Sequence, residues 1–152
     1  MDWLHLLHQV VFGALAAAGF GVLFNFGWRA LAWCAAAGAL ALGVRTLGLE
    51  VHLSLEAASF LAAVTASCIA ALFRRPLGPR CSAVALAGCI PMVPGVFFGQ
   101  ALLGMMAVTM PHPENAALIL TATEYFLRVL FTLAAIGAGL AIPAHLLKQR
   151  DF

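Results

Sequence analysis

The chain has 152 residues, of which 64% are hydrophobic and only 9% are charged. Roughly a quarter of the residues of a soluble domain are charged, so this composition excludes an ordinary water-soluble fold and indicates an integral membrane protein. The formal net charge of +2 is too small to indicate a nucleic-acid partner. We therefore expect one integral membrane domain over residues 1–152, surrounded by the lipid bilayer.

Three predicted membrane helices occupy the first half of the chain. A helix that crosses the hydrocarbon core needs roughly 20 apolar residues at about 1.5 Å each. Such runs cover about residues 3–24, 30–49 and 57–73. The first run is predicted to be a retained span and not a signal peptide, because Asp2 precedes it and no Lys or Arg does.

The fourth predicted span, residues 81–110, contains Pro91, Pro94 and Gly95 near its middle. Proline lacks a backbone N–H and clashes with the preceding turn, so this helix is predicted to break at Pro91–Gly95. A break in lipid leaves backbone groups unpaired at several kcal/mol each unless protein or water surrounds them. Two interpretations stay open: a plain proline kink, or a site where main-chain groups contact a solute.

The last apolar run covers residues 116–147. As one helix it would be about 48 Å long, against a hydrocarbon core of about 30 Å. The prediction is therefore an all-α, polytopic membrane helix bundle of about five transmembrane helices. A bundle of four, in which one short run does not cross, stays open.

The positions of the cationic residues predict the orientation. Lys and Arg accumulate on the cytoplasmic side of a membrane. Arg29, the group Arg74, Arg75 and Arg80, and the pair Lys148 and Arg150 all fall on one side of the five-helix prediction. The N-terminus is then periplasmic and the C-terminus cytoplasmic.

Three charged residues lie inside predicted spans. Arg45 belongs to the second span, and Glu124 and Arg128 stand four residues apart in the last one, so they can pair. A charge at membrane depth faces protein or water. The functional interpretation makes the arginines contacts for a carboxylate and Glu124 a proton-coupling or amine-binding group. The alternative is that Arg128 and Glu124 reach the membrane surface.

Small residues spaced by four form two stripes. One consists of Gly13, Ala17 and Gly21, and the other of Ala134, Gly137, Ala138 and Ala141. Such stripes allow helix backbones to approach closely in lipid, although a chain rich in Ala and Gly also produces them by chance.

Metal, cofactor and nucleophile patterns are not evident in the sequence. The four cysteines are isolated in apolar sequence, which favours small buried hydrophobic residues. The histidines are not placed to face one another at matching depth, and no hydroxyl has a base beside it in a nucleophile motif. We predict no cofactor, no metal site and no enzyme.

Four segments in order resemble one known family: "GFGVLFN", "RALAWCAAAGALALGVR", "IPMVPG" and "GLAIP". Together they are similar to the threonine/serine exporter family, in particular its short stand-alone form, the small subunit of a two-component succinate exporter. The resemblance covers nearly the whole chain.

This resemblance implies a subunit of a bacterial inner-membrane secondary exporter. The family's solutes are small metabolites such as threonine, serine or succinate, and the short form acts with a larger membrane subunit. The predicted substrate-binding residues are Arg45, Pro91, Pro94, Gly95, Asn25 and Arg128, with Glu124 as the proton-coupling candidate. The chain has Leu42 where related subunits carry a histidine, so a role for that histidine does not transfer.

Two assemblies and one alternative function follow from this prediction. An odd number of spans allows a similar partner to insert in the inverted orientation, and homo-oligomers are also open. The alternative function is a non-transporting membrane scaffold or accessory subunit that stabilises a partner.

Overall fold

The computed structural model describes residues 3–72, 81–108 and 115–148. Within these ranges the chain is all-α, as predicted, with one 3₁₀ turn at Ile90–Met92 and no strand. The helices are α1 (Trp3–Leu23), α2 (Trp28–Glu50), α3 (Leu55–Leu72), α4 (Cys81–Cys89), α5 (Gly95–Val108) and α6 (Asn115–Lys148).

The span prediction is confirmed within the described ranges. Four helices there are long and apolar enough to cross a membrane, and the number is five if α4 and α5 form one interrupted span. The orientation stays a prediction, since Arg74, Arg75, Arg80 and Arg150 lie outside the described residues.

The turns after α1 and α2 use the same local geometry. Asn25 and His52 adopt positive φ angles of 55° and 62°. The next residue in each turn donates its N–H back to the helix, from Phe26 to the carbonyl of Gly21 at 3.0 Å and from Leu53 to Gly48 at 3.1 Å. Asparagine adopts the left-handed conformation more readily than most residues, so Asn25 suits the end of α1.

Glycine and alanine bring α1 and α2 together. A side chain on Gly38 would collide with the Cβ of Ala17 and the carbonyl oxygen of Gly13. The first predicted stripe, Gly13, Ala17 and Gly21, is buried. The backbones of α1 and α2 are therefore in direct contact, which confirms close packing through this stripe.

The second predicted stripe does not pack within the described structure. Ala134, Gly137, Ala138 and Ala141 are exposed. The other face of the helix is used instead: a Cβ on Gly139 would lie 2.7 Å from the carbonyl oxygen of Phe60 and 2.8 Å from the Cβ of Ala63. The Oγ of Ser67 also donates to the carbonyl of Leu140 at 2.9 Å.

Helix α4 packs on the middle of α2 in the same way. A Cβ on Gly88 would lie 2.7 Å from the Cβ of Ala37 and 2.9 Å from its carbonyl carbon. Cys34 and Cys89 are buried in two apolar clusters of these helices, as predicted for small hydrophobic residues. Such close approach lets the 3₁₀ turn after α4 reach side chains of α2.

The chain divides into two compact units. The first consists of Met1–Met92 with Ala135–Phe152, and the second of Val93–Ala134. In the second unit α5 packs on α6, where a Cβ on Gly104 would lie 2.7 Å from the Cβ of Ala122. A single transport domain over residues 1–152 stays a prediction.

Candidate functional site

The predicted break in the fourth span is present. Helix α4 ends at Cys89, the 3₁₀ turn Ile90–Met92 follows, and α5 begins at Gly95. The N–H of Phe98 donates to the carbonyl of Pro94 at 3.1 Å, so Pro94 directly precedes α5 and accepts its first hydrogen bond. The break follows from Pro91 and Pro94, which have no N–H to continue the hydrogen bonds of α4.

Arg45 of α2 contacts this break. Its Nη1–H donates to the carbonyl oxygen of Met92 at 2.9 Å. In an uninterrupted helix that carbonyl would accept the N–H of Val96, four residues on. The arginine supplies a donor where the helix is broken, and Met92 itself is fully buried. The structure therefore brings together Arg45 and the proline motif, two elements predicted separately from the sequence.

Two buried polar atoms in the first unit have no hydrogen-bond partner within the described part of the chain. They are Nε of Arg45 and Oγ of Ser59. Along the helix axes, Arg45 lies about 8 Å before the end of α2 and Ser59 about 6 Å after the start of α3. Buried polar atoms are nearly always paired, so each of these two is a candidate for a hydrogen bond with water or with a polar solute atom.

Ser59 was not among the residues predicted for the site. It is buried in α3 together with five alanines and Ser67, and none of its side chain is exposed. The signal that could have identified it is a hydroxyl in an alanine-rich helix, a feature that Ser67 shares. The sequence did not reveal which face of α3 is buried, since every face is apolar.

The residues that follow the 3₁₀ turn are more exposed than Met92. Val93 is 43% exposed, and no atom lies within 4 Å of a Cβ placed on Gly95. The first N–H groups of any α-helix have no partner inside that helix and carry a partial positive charge. The start of α5 can therefore offer backbone donors to an anion.

Asn25 is not brought to this site. It lies in the turn before α2, and the distance along α2 from Trp28 to Arg45 is about 26 Å. The left-handed φ angle of Asn25 explains its place in that turn. A role in substrate binding stays a prediction for this residue.

Arg128 and Glu124 lie in the second unit. The predicted pairing is present, with 3.6 Å between Nη2 of Arg128 and Oε1 of Glu124. The guanidinium carbon of Arg128 also lies 5.4 Å from the ring centroid of Phe97. That ring stacks on Tyr125 at a centroid distance of 5.6 Å. The pair is thus held on an aromatic surface made by α5 and α6.

A helix bundle with several membrane-crossing helices and one interrupted span defines a multi-pass membrane protein of the kind found among solute carriers. Residues 9–146 match the family described as Threonine/Serine exporter, ThrE. The match covers most of the chain, which belongs to the threonine/serine exporter family. No solved structure matches the chain.

The family match confirms the resemblance at the level of the family. It supports transport across a membrane and not enzymatic catalysis. The closer resemblance to the small subunit of a two-component exporter stays a prediction.

Proposed function

We propose that this chain is a subunit of a bacterial inner-membrane secondary exporter of small carboxylate-bearing metabolites, namely threonine, serine or succinate. It acts with a larger membrane subunit of the same family. The observation that carries the proposal is the hydrogen bond from Arg45 to the carbonyl of Met92 at the helix break. Family membership supports threonine or serine as the solute.

The Arg45 bond can exchange when a solute binds. A guanidinium has five N–H donors, and a carboxylate accepts them more strongly than a neutral carbonyl does. A hydrogen bond to a charged group contributes about 1.5–3 kcal/mol, against about 0.5–1.5 kcal/mol for an ordinary one. A solute carboxylate therefore displaces the Met92 carbonyl from Arg45 and frees the turn between α4 and α5.

Ser59 completes this binding position. Its buried hydroxyl has no partner among the described residues, and it lies at a height on α3 similar to that of Arg45 on α2. A hydroxyl can donate to or accept from a polar atom of the solute.

The partner and the orientation complete the proposal. With about five spans, the N-terminus is periplasmic and the C-terminus cytoplasmic, and both compact units belong to one transport domain. The partner inserts in the inverted orientation, as in carriers built from inverted halves. Cysteine labelling from each side of the membrane tests this, and termini on the same side would contradict it.

A non-transporting scaffold is the second candidate. The observation in its favour is that Arg45 donates a hydrogen bond to the backbone carbonyl of Met92. This bond alone would stabilise the interrupted helix, without any role in transport. Under this alternative, Arg45→Gln and Pro94→Ala lower the amount of folded protein but leave transport per folded complex unchanged.

Transport measured per folded complex separates the two candidates. The tagged chain is purified from its native membranes with any companion subunits and reconstituted into vesicles, and counterflow of labelled threonine and succinate is followed. We expect Arg45→Gln to lower transport about tenfold or more, because charge-assisted contacts to the solute are lost. Arg29→Gln is the matched control, since Arg29 is exposed at the start of α2 and lies over the ring of Trp28.

A further inference from the structure

The interface between α1 and α2 changes in character along its length. Over most of its length it is made of small and apolar residues. A Cβ on Gly21 would lie 2.9 Å from Cδ2 of Leu31, and a Cβ on Gly13 would lie 2.8 Å from Cδ1 of Leu42. These contacts fix the register of the two antiparallel helices. In the next turn beyond Gly13 and Leu42, both helices carry polar residues instead.

Three polar residues form what we call the polar layer: Gln9 of α1, and Arg45 and Thr46 of α2. A Cβ on Gly43 would lie 3.3 Å from Cγ2 of Val10, so these two residues are neighbours across the interface. Gln9 precedes Val10 by one position and Arg45 follows Gly43 by two. In antiparallel helices both steps lead in the same direction, so Gln9 and Arg45 differ in height by about 2 Å.

The residues of the polar layer lie on the helix faces that meet. Gln9 stands four residues before Gly13 and extends the buried stripe of α1 by one turn. Arg45 stands seven residues after Gly38, which is nearly the same side of α2, and a Cβ on Gly38 would collide with α1. Thr46 is buried. The polar layer therefore lies between the two helices and not on their outer surfaces.

The hydrogen-bonding groups of the polar layer are only partly used. Arg45 donates from Nη1 to the carbonyl of Met92, and its buried Nε has no partner within the described residues. The hydroxyl of Thr46 donates to the carbonyl of Leu42 at 2.8 Å and can still accept. Gln9 is half-buried, and its amide forms no hydrogen bond in the part of the chain that the structure describes. The polar layer thus retains both donors and acceptors.

Packing of α1 on α2 does not require an amide at position 9. The following turns of α1 are closed by Gly13, Ala17 and Gly21. Helix α1 is long and apolar enough to cross a membrane, and an amide without a hydrogen bond is unfavourable in apolar surroundings. Gln9 therefore calls for an explanation other than close packing.

The polar layer adjoins the interruption between α4 and α5. Helix α1 packs on the 3₁₀ turn Ile90–Met92 as well as on α2. Arg45 reaches the same turn from α2. A solute carboxylate that replaces the Met92 carbonyl at Arg45 would therefore be bound beside α1.

We propose that Gln9 binds the polar group of the solute that Arg45 does not hold. This inference rests on the proposed function, in which Arg45 binds one carboxylate, and it adds α1 to the binding site. The amide accepts from an ammonium or a hydroxyl through Oε1 and donates to a second carboxylate through Nε2. Because the amide is uncharged, this position accepts both an amino acid and a dicarboxylate.

The test is counterflow of labelled L-threonine by the tagged full chain, purified from its native membranes with any companion subunits and reconstituted into vesicles. Unlabelled threonine and succinate are the competitors. We expect Gln9→Leu to raise the half-saturating threonine concentration about tenfold, because a hydrogen bond to a charged group of the solute is lost. Gln9→Asn keeps the amide and should recover part of this loss.

Gln9→Glu should change the preference between the two solutes. A carboxylate at this position attracts the ammonium of threonine and repels the second carboxylate of succinate. We expect the ratio of the half-competing concentrations to shift about tenfold in favour of threonine. A residue that only packs α1 on α2 would not move this ratio. If Gln9→Glu does not fold, the comparison of Gln9→Leu with Gln9→Asn decides.

Gln100→Leu and Gln100→Glu are the matched controls, because Gln100 is exposed on α5 in the second unit. Equal threonine kinetics and equal succinate competition in the Gln9 and Gln100 variants, with Arg45→Gln impaired, would overturn the assignment of Gln9 alone. A loss in every Gln9 variant that follows the amount of folded protein would assign Gln9 to packing and also overturn it.

Two results with the wild-type complex bear on the inference as well. An active complex in which succinate does not compete with threonine would overturn the assignment of Gln9, since an uncharged amide does not exclude a second carboxylate. No transport of either solute by the wild-type complex would overturn the proposed function, and this inference with it.

Discussion

Arg45 and Arg128 are two arginines within apolar helices, and their surroundings differ. Arg45 donates to a buried backbone carbonyl at 2.9 Å and its Nε is enclosed. Arg128 lies on an aromatic ring, is 42% exposed and faces a carboxylate at 3.6 Å. The first arginine is bonded to the broken helix, whereas the second is presented to its surroundings.

The packing around each arginine explains this difference. In the first unit, glycines and alanines bring the helix backbones so close that a polar side chain reaches the main chain of a neighbour. In the second unit, Phe97 and Tyr125 fill the space beside α6 and hold Arg128 at the surface. Where small residues surround an arginine, its guanidinium can therefore reach the backbone of a neighbouring helix. Where aromatic residues surround it, the guanidinium stays exposed.

The largest loss of stability is expected from a substitution at Gly38, where α1 and α2 are packed most closely. Gly38→Ala places a Cβ against the Cβ of Ala17 and the carbonyl oxygen of Gly13, neither of which can rotate away. Overpacking of this kind lowers the free energy of unfolding by about 3 kcal/mol. Thermal unfolding in detergent and the yield of monodisperse protein measure this loss. Gly19→Ala is the control, because no atom lies within 4 Å of its added Cβ, and a similar loss in both variants would contradict backbone contact.

The second largest loss of stability is expected when the hydrogen bond from Arg45 to the carbonyl of Met92 is removed. Arg45→Met keeps the long apolar stem but leaves the buried carbonyl of Met92 without this donor. We expect the free energy of unfolding to fall by about 1–3 kcal/mol, the cost of an unpaired buried group. Arg45→Lys retains a donor and should recover part of the loss in the same thermal assay. Equal stability of the wild type, Arg45→Met and Arg45→Lys would show that this hydrogen bond does not stabilise the interrupted helix.

The ends of the helices and the break could be predicted because each has a local cause. Charged and turn residues bound the apolar runs, so α1, α2 and α3 begin and end within two residues of the predicted positions. Pro91 and Pro94 break the helix whatever surrounds them. These features depend on residues that are adjacent in the sequence.

The contacts of the site could not be predicted, because they depend on which helix faces meet. Nothing in the sequence paired Arg45 with Met92, and Ser59 resembled the other hydroxyls of α3. The second small-residue stripe shows the same limit, since Gly139 packs on α3 while Gly137 has no atom within 4 Å of an added Cβ. In a helix that is apolar all round, periodicity does not identify the buried face.

Two serines of α3 should respond in opposite directions. Ser59→Ala removes a buried hydroxyl that has no partner in the described structure, and we expect the free energy of unfolding to rise by about 1 kcal/mol while transport falls. Ser67→Ala removes a donor to the carbonyl of Leu140 at 2.9 Å. This change should lower the free energy of unfolding by about 1 kcal/mol. Thermal unfolding and counterflow are measured on both. A loss of stability in Ser59→Ala would mean that its hydroxyl is paired.

The smallest effect on stability is expected at Arg128, where the comparison of the two arginines is most sharply tested. Arg128→Met removes a cation–π contact and a weak exposed pair, so the free energy of unfolding should change by about 0.5 kcal/mol at most. Threonine transport should nevertheless fall about tenfold, because Arg128 is one of the predicted substrate-binding residues and a charged contact would be lost. Arg45→Met lowers both quantities, since that arginine holds the fold as well as the solute. If Arg128→Met destabilises the protein as much as Arg45→Met does, then Arg128 is also a structural residue, and the distinction between a bonded and a presented arginine does not hold.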